Sequence, residues 1–175
     1  ISFGAYYGFF ALYMRDLEYS GQQTGIFIAL GVLAEVGIFL IARRLISQFG
    51  VWNLLFVSIA LTGLRWYVMA AFADTFMVIV LSQLIHALSF GLTHAVSVHF
   101  IHQFLPKAYH SRGQAVYISV AFGLGGAFGN YMAGQQWQQG TNAYETFFTA
   151  AVFAIVGALS LLLCSKKDMD ESKAV

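Results

Sequence analysis

The sequence predicts an all-α membrane protein with six transmembrane helices. Of its 175 residues, 59% are hydrophobic and only 10% are charged, whereas a soluble domain carries about 25% charged residues. Apolar stretches of the length that a spanning helix needs, about 20 residues, recur along the chain. Pro106 is its single proline, so few residues would break long helices. The composition excludes a soluble enzyme, a nucleic-acid-binding protein and a disordered chain.

One partial and five full stretches are predicted to span the membrane. They cover residues 1–14, 25–42, 52–72, 76–104, 114–137 and 143–164. The first is too short to span and has no charged flank, so we expect a helix whose beginning is missing and not a signal peptide. The connections are too short to hold a soluble domain. The polar end of the chain, residues 165–175, is predicted to be a disordered tail.

Basic residues in the connections predict the orientation of the chain in the membrane. If the first helix ends outside, Arg15 alone lies outside and seven basic residues lie in the cytoplasm. These are Arg43, Arg44, Lys107, Arg112, Lys166, Lys167 and Lys173. The C terminus is then cytoplasmic. Many transporters consist of two six-helix halves with the binding site between them, so we expect a missing N-terminal six-helix half as a partner.

Two charged residues lie inside predicted spans, where a charge costs at least about 2.5–3.5 kcal/mol. Glu35, near the middle of the second helix, is either a proton-carrying acid or a hydrogen-bonded carboxyl that fixes helix packing. Arg65, in the third helix, is either a cation in a cavity or a side chain that snorkels to the interface. As a cavity cation it would bind a substrate carboxylate or pair with an acid such as Glu35. Its replacement by alanine should then weaken anion binding far more than fold stability.

The fourth helix carries a polar stripe. At 100° per residue, six side chains fall within an arc of about 100°. These are Gln83, His86, Phe90, Thr93, His94 and Ser97. A polar stripe on a membrane helix faces the bundle interior or water. Because histidine titrates near neutral pH, His86 and His94 suit proton coupling, but hydrogen bonds that only hold the bundle together would use the same residues.

The first and fifth helices add aromatic and polar candidates. Tyr6 belongs to an aromatic face of the first helix, and Asn130 is a polar residue of the glycine-rich fifth helix. The glycines resemble a nucleotide-binding loop only superficially, because no strand precedes them. They let helices approach closely. No cofactor and no metal or haem site is predicted, since the candidate histidines lie on one helix and no cysteine or acid cluster accompanies them.

The whole chain resembles the C-terminal half of a major facilitator superfamily transporter. More narrowly it looks like the 3-phenylpropionate transporter family, relatives of the lactose permease and the nucleoside–proton symporters. Five segments look like the seventh to eleventh helices of that family. They read SFGAYYGFFALYMRDLEYSG, GVLAEVGIFLIARRLI, LTGLRWYVMA, QLIHALSFGLTHA and RGQAVYISVAFGLGGAFGNYMAG. The most specific part of the resemblance is the combination of Glu35, Arg65, His86 and His94.

The resemblance implies twelve helices, alternating access and a multi-pass protein of the bacterial inner membrane. In relatives such as the lactose permease, an acid, an arginine and a histidine on helices eight, nine and ten serve coupling and binding. Glu35, Arg65 and His86 or His94 would take those roles here. The lactose permease also places a carboxylate shortly after its tenth-helix histidine. In this chain no charged residue follows His94 before Lys107.

The sequence and the resemblance together predict a transporter, not an enzyme, that imports a small aromatic carboxylate such as 3-phenylpropionate with protons. Glu35, His86 and His94 are predicted to serve proton coupling, and Arg65, Gln83, Phe90, Tyr6 and Asn130 to bind the substrate. The expected partners are the small organic acid, protons, the lipid bilayer and the missing half, but no nucleic acid. Two alternatives stay open. A sugar or nucleoside symporter would use Gln83, Asn130 and the histidines as hydroxyl partners. A non-transporting membrane scaffold or subunit would tolerate neutral substitution of Glu35 and Arg65.

Overall fold

The computed structural model describes residues 1–171, which are helical almost throughout and contain no strand. The α-helices of this range are α1 (Gly4–Asp16), α2 (Gly21–Phe49), α3 (Val51–Phe72), α4 (Phe76–His86), α5 (Leu92–Phe104), α6 (His110–Ile118), α7 (Gly125–Trp137), α8 (Ala143–Ser160) and α9 (Lys166–Asp170). Two π-helical segments, π1 (Ala87–Gly91) and π2 (Ser119–Leu124), join α4 to α5 and α6 to α7. Each of these pairs therefore forms one continuous helical rod.

Four helical rods of the described residues are long and apolar enough to cross a membrane. They are Gly21–Phe49, Val51–Phe72, Phe76–Phe104 and Ala143–Leu163. The chain is accordingly an all-α, multi-pass membrane protein. The helix α1 has only 13 residues, and the rod over residues 110–137 is not among these four candidate spans. The arrangement of six spans therefore stays a prediction.

The helices pack around two apolar clusters. The most extensive helix pair is α3 with α8, while α1 lies on α7, and α2 lies along α4, π1 and α5. Large buried side chains such as Phe10, Trp66 and Phe147 form the first cluster, and Leu54 and Val96 belong to the second. Many large apolar side chains instead point outward, with Leu40 80% exposed. An exterior of this kind is suited to lipid.

The helix α2 is longer at both ends than the predicted span of residues 25–42. Its start is fixed by a capping box, in which Ser20 Oγ accepts from the Gln23 N–H and Gln23 Oε1 accepts from the Ser20 N–H. At the other end α2 continues to Phe49, because arginine is a good helix former and Arg43 and Arg44 do not interrupt it. The chain turns only at Gly50, which has a φ of 78°.

The first part of the predicted tail forms the short helix α9. The short helix α9 brings the Asp170 carboxylate to the first turn of α3, where Oδ1 accepts from the Trp52 N–H at 3.0 Å. Gln103 Nε2 donates to the Asp170 carbonyl at 3.0 Å. A Cβ on Gly50 would lie 2.9 Å from the Asp170 carboxylate oxygens, so glycine permits this approach. Residues 172–175 of the predicted tail lie outside the described residues.

Glycines bring the backbones of α1 and α7 together, and one substitution there is expected to be destabilising. A Cβ on Gly4 would collide with the backbone of Gly129 and Asn130, whereas a Cβ on Gly126 of α7 would meet nothing within 4 Å. Gly4→Ala should lower the thermal unfolding temperature of the detergent-solubilised full-length protein, because overpacking costs about 1–3 kcal/mol. Gly126→Ala should raise it, since alanine is favoured in a helix by about 0.5–1 kcal/mol. Shifts of the same sign would contradict this packing.

Candidate functional site

Three ionisable side chains from α2, α3 and α4 form one continuous chain inside the bundle. His86 lies in the middle. Its Nε2 is 2.7 Å from Glu35 Oε1, and its Nδ1 is 2.7 Å from Arg65 Nη1. Arg65 is 1% exposed, His86 is 4% exposed, and the Glu35 side chain is 14% exposed. We call this arrangement the Glu35–His86–Arg65 chain.

The chemistry of arginine fixes the direction of these hydrogen bonds. A guanidinium carries only donors, so Arg65 donates to His86 Nδ1, and Nδ1 accepts. The proton of the imidazole is then on Nε2, from which it is donated to the Glu35 carboxylate. His86 is therefore a neutral bridge between a cation and an acid. Among the described residues, the ionised Glu35 carboxylate is the negative charge that this hydrogen-bonded arrangement sets against the charge of Arg65.

Arg65 points into the bundle and not towards an interface. Its Nε donates to Ser82 Oγ at 3.2 Å. Its Cζ lies 4.2 Å from the ring centroid of Trp66 and 4.7 Å from that of Tyr6, and such cation–π contacts stabilise a desolvated guanidinium. Trp66 is itself fully buried. These contacts decide against the snorkelling alternative.

Tyr6 of α1 and Gln83 lie beside the Glu35–His86–Arg65 chain. The Tyr6 hydroxyl donates to Gln83 Oε1 at 2.8 Å, and both side chains are buried. The Tyr6 ring also lies 5.2 Å from the His86 ring. The helix α2 also packs closely here, because a Cβ on Gly91 would lie only 3.2 Å from Glu35 Cγ. His86 thus contacts both Tyr6 of α1 and Glu35 of α2.

The fourth predicted helix contains the π-helical segment π1 just after His86. A π turn leaves backbone carbonyls without their usual partners, and such turns occur frequently at functional sites. In π1 the Ser89 carbonyl oxygen lies 3.3 Å from Thr62 Oγ1 and 2.7 Å from Thr93 Oγ1. Side-chain hydroxyls therefore satisfy this carbonyl. The sequence analysis assumed a uniform α-helix, so it did not predict π1.

The predicted polar stripe faces the interior, but its two parts have different surroundings. The rings of His86, Phe90 and His94 stack in a row, with centroid distances of 5.2 and 6.3 Å and interplanar angles of 5° and 9°. Gln83 and His86 are buried. The other four residues of the stripe line a cavity. These are Phe90, Thr93, His94 and Ser97. Phe90 therefore connects the Glu35–His86–Arg65 chain to this cavity.

The cavity has a volume of about 580 Å³ and aromatic walls. Phe90 contacts Phe3 and Phe122 edge-on, at centroid distances of 5.3 and 5.7 Å. Asn130 lines the cavity, and its Nδ2 donates to the Gly126 carbonyl at 2.9 Å. We call this space the aromatic cavity. Its volume falls within the range typical of small-molecule sites.

The structure divides the predicted site residues into two adjoining groups. The buried group contains Glu35, Arg65, His86, Tyr6 and Gln83, and the cavity group contains Phe90, His94 and Asn130. Sequence reasoning missed several residues of these groups, among them Ser82, Phe3 and Phe122. The two phenylalanines are among 17 in an apolar chain, so residue type gave no signal for them.

Comparisons with known proteins agree with this architecture. The model of the MFS_1 like family matches residues 1–150. The chain is 33% identical over 134 residues to a probable 3-phenylpropionic acid transporter of Escherichia coli (strain K12), a match that covers 77% of this chain and 35% of that protein. It is 30% identical over 165 residues to the maltose permease of Geobacillus stearothermophilus, covering 91% of this chain and 40% of the permease. The chain thus spans less than half the length of these curated relatives. No solved structure matches it.

Proposed function

Because this chain belongs to the MFS_1 like family of membrane transporters, we propose that it forms part of a proton-coupled importer of a small aromatic carboxylate such as 3-phenylpropionate. The observation that carries the proposal is the position of Phe90. Its ring stacks on His86 of the Glu35–His86–Arg65 chain and also lines the aromatic cavity. The proposed proton site, the Glu35–His86–Arg65 chain, is therefore separated from the aromatic cavity, where a substrate would bind, by a single aromatic ring.

The proposed coupling between proton and substrate follows from the charge balance of the Glu35–His86–Arg65 chain. When Glu35 binds a proton, the charge of Arg65 loses its counter-ion, and an unbalanced charge in a poorly solvated site is costly. A carboxylate in the neighbouring cavity offsets that charge, because electrostatic interactions in a protein interior are weakly screened. Proton and anion thus favour each other's binding. Arg65 acts in this scheme through its field, without contacting the anion.

The walls of the cavity support an aromatic substrate. Phe3, Phe90 and Phe122 already contact one another edge-on, and a ligand ring would add contacts of the same kind. Such aromatic pairs contribute about 0.5–1.5 kcal/mol beyond the area they bury. The similarity to the E. coli transporter supports the same substrate class.

A sugar symporter is the second candidate, supported by the similarity to a maltose permease. Thr93, Ser97 and Asn130 line the same cavity and could bind sugar hydroxyls, while an aromatic wall stacks on a sugar ring. The proposed coupling through Glu35 would be unchanged. The two candidates therefore differ in the substrate and not in the proton site.

Uptake into proteoliposomes tests both candidates. The full-length protein is reconstituted, and labelled 3-phenylpropionate or labelled maltose is supplied with and without an inward proton gradient. We expect gradient-stimulated uptake of 3-phenylpropionate and none of maltose. The reverse result would replace the aromatic acid by a sugar. If a folded protein takes up neither substrate under any gradient, the non-transporting scaffold gains support.

Several parts of the assignment stay predictions. The N-terminal six-helix half, the bacterial inner membrane and the cytoplasmic C terminus are expected from the resemblance and from the basic residues. The relatives are transporters, which agrees with the prediction that the chain is not an enzyme.

A further inference from the structure

His94 differs from the other side chains that line the aromatic cavity. Among these lining residues, all of them in the described part of the chain, it is the one side chain that can carry a positive charge. Arg65 does not line the cavity and is enclosed by Ser82, His86 and two aromatic rings. A carboxylate inside the cavity would therefore meet His94 and not Arg65.

We propose that His94 binds the substrate carboxylate directly and so determines the preference for acids over uncharged analogues. This inference rests on the proposed function, since it names the residue that recognises the charged end of the substrate. It differs from the expectation that His94 carries the coupling proton. In this scheme the Glu35–His86–Arg65 chain holds the proton, and His94 holds the anion.

Neighbouring side chains hold the His94 ring in a defined position. Phe90 stacks on one face at 6.3 Å, and Phe122 contacts the ring edge-on at 6.0 Å. The Tyr117 hydroxyl lies 3.4 Å from His94 Nδ1. When Tyr117 donates to Nδ1, the imidazole proton is on Nε2, and Nε2–H is the donor for a carboxylate oxygen. Tyr117 thus acts as a positioning residue.

The same ring contacts define how an aromatic acid would lie. Phe122 contacts both Phe90, at 5.7 Å, and His94, at 6.0 Å. A short aryl carboxylate can therefore place its ring against the two phenylalanines and its carboxylate at His94. A ligand without the carboxylate would keep the ring contacts and lose both the contact with His94 and the attraction of the Arg65 charge.

A comparison of two ligands and three variants tests the inference. Affinities for 3-phenylpropionate and for the uncharged 3-phenylpropan-1-ol are measured on the purified full-length protein. The main variant is His94→Phe, which keeps the ring stacking and removes the N–H donor. It should bind the acid about 10- to 100-fold more weakly, the range of one hydrogen bond to a charged group, with the alcohol nearly unchanged. His94→Gln keeps a donor and should retain much of the acid preference.

The matched control is His99→Leu, because His99 is an exposed histidine of the same helix that does not line the cavity. It should leave both affinities unchanged. If His94→Phe does not fold, His94→Leu takes its place. An acid-to-alcohol ratio in His94→Phe, or in His94→Leu where it is used, equal to that of the unaltered protein would overturn the inference while the proposed function stands. If the unaltered protein does not bind the acid at all, the proposed function fails and the inference with it.

Discussion

Glu35→Gln is expected to abolish gradient-driven accumulation of the substrate while the exchange of labelled for unlabelled substrate continues. A glutamine resembles the protonated glutamic acid in shape and charge but cannot release a proton. The variant therefore stays in the state in which Arg65 is unbalanced and the anion is favoured. Accumulation should fall to the level reached without a proton gradient, because the substrate no longer moves together with a proton. Proteoliposome uptake and counterflow measure the two activities separately.

Glu145→Gln is the matched control for this prediction. Glu145 is an exposed acid at the start of α8, far along the chain from the buried group. We expect this variant to accumulate substrate like the unaltered protein. Accumulation by Glu35→Gln at the unaltered level would show that the proton is carried elsewhere. Loss of both accumulation and exchange would indicate that Glu35 is needed for folding or binding and not for coupling alone.

The charged members of the site could be predicted from the sequence by a single physical rule. A charge inside a membrane helix is costly, so Glu35 and Arg65 stood out in an apolar chain. Their pairing was one possibility for Arg65, beside substrate binding and snorkelling. The sequence did not indicate that His86 lies between them, because that depends on how closely α2 approaches π1 at Gly91. Such a distance is set by the packing of the whole bundle.

Three other features of the fold were not predicted from the sequence. The Ser89 carbonyl of π1 accepts from Thr62 on α3 as well as from Thr93, and no pattern within one helix contains the contact with Thr62. The start of α2 could have been found, since the spacing of Ser20 and Gln23 is a recognised capping signal. The helix α9 is held by the contact of Asp170 with Trp52, which joins residues 118 positions apart. Only the folded chain brings them together.

Arg65→Ala is expected to reduce fold stability as well as anion binding. The sequence alone suggested a much larger effect on binding, but Arg65 is 1% exposed and contacts Ser82, His86 and two aromatic rings. Arg65 is linked to the Glu35 carboxylate through His86, and removing one charge of a buried ion pair costs about 3–5 kcal/mol because the remaining charge is left uncompensated. The thermal unfolding temperature of the detergent-solubilised full-length protein should therefore fall markedly. Arg44→Ala, at an exposed position of α2, should change it little.

A double variant separates the charge effect from the loss of packing. If the cost of Arg65→Ala comes largely from the unpaired Glu35 carboxylate, adding Glu35→Gln should restore part of the lost stability. The two substitutions would then be non-additive, as expected for residues in one network. Equal and additive losses would mean that the two side chains act independently. In that case the charge balance on which the proposed coupling depends would not exist, and Arg65 would serve packing alone.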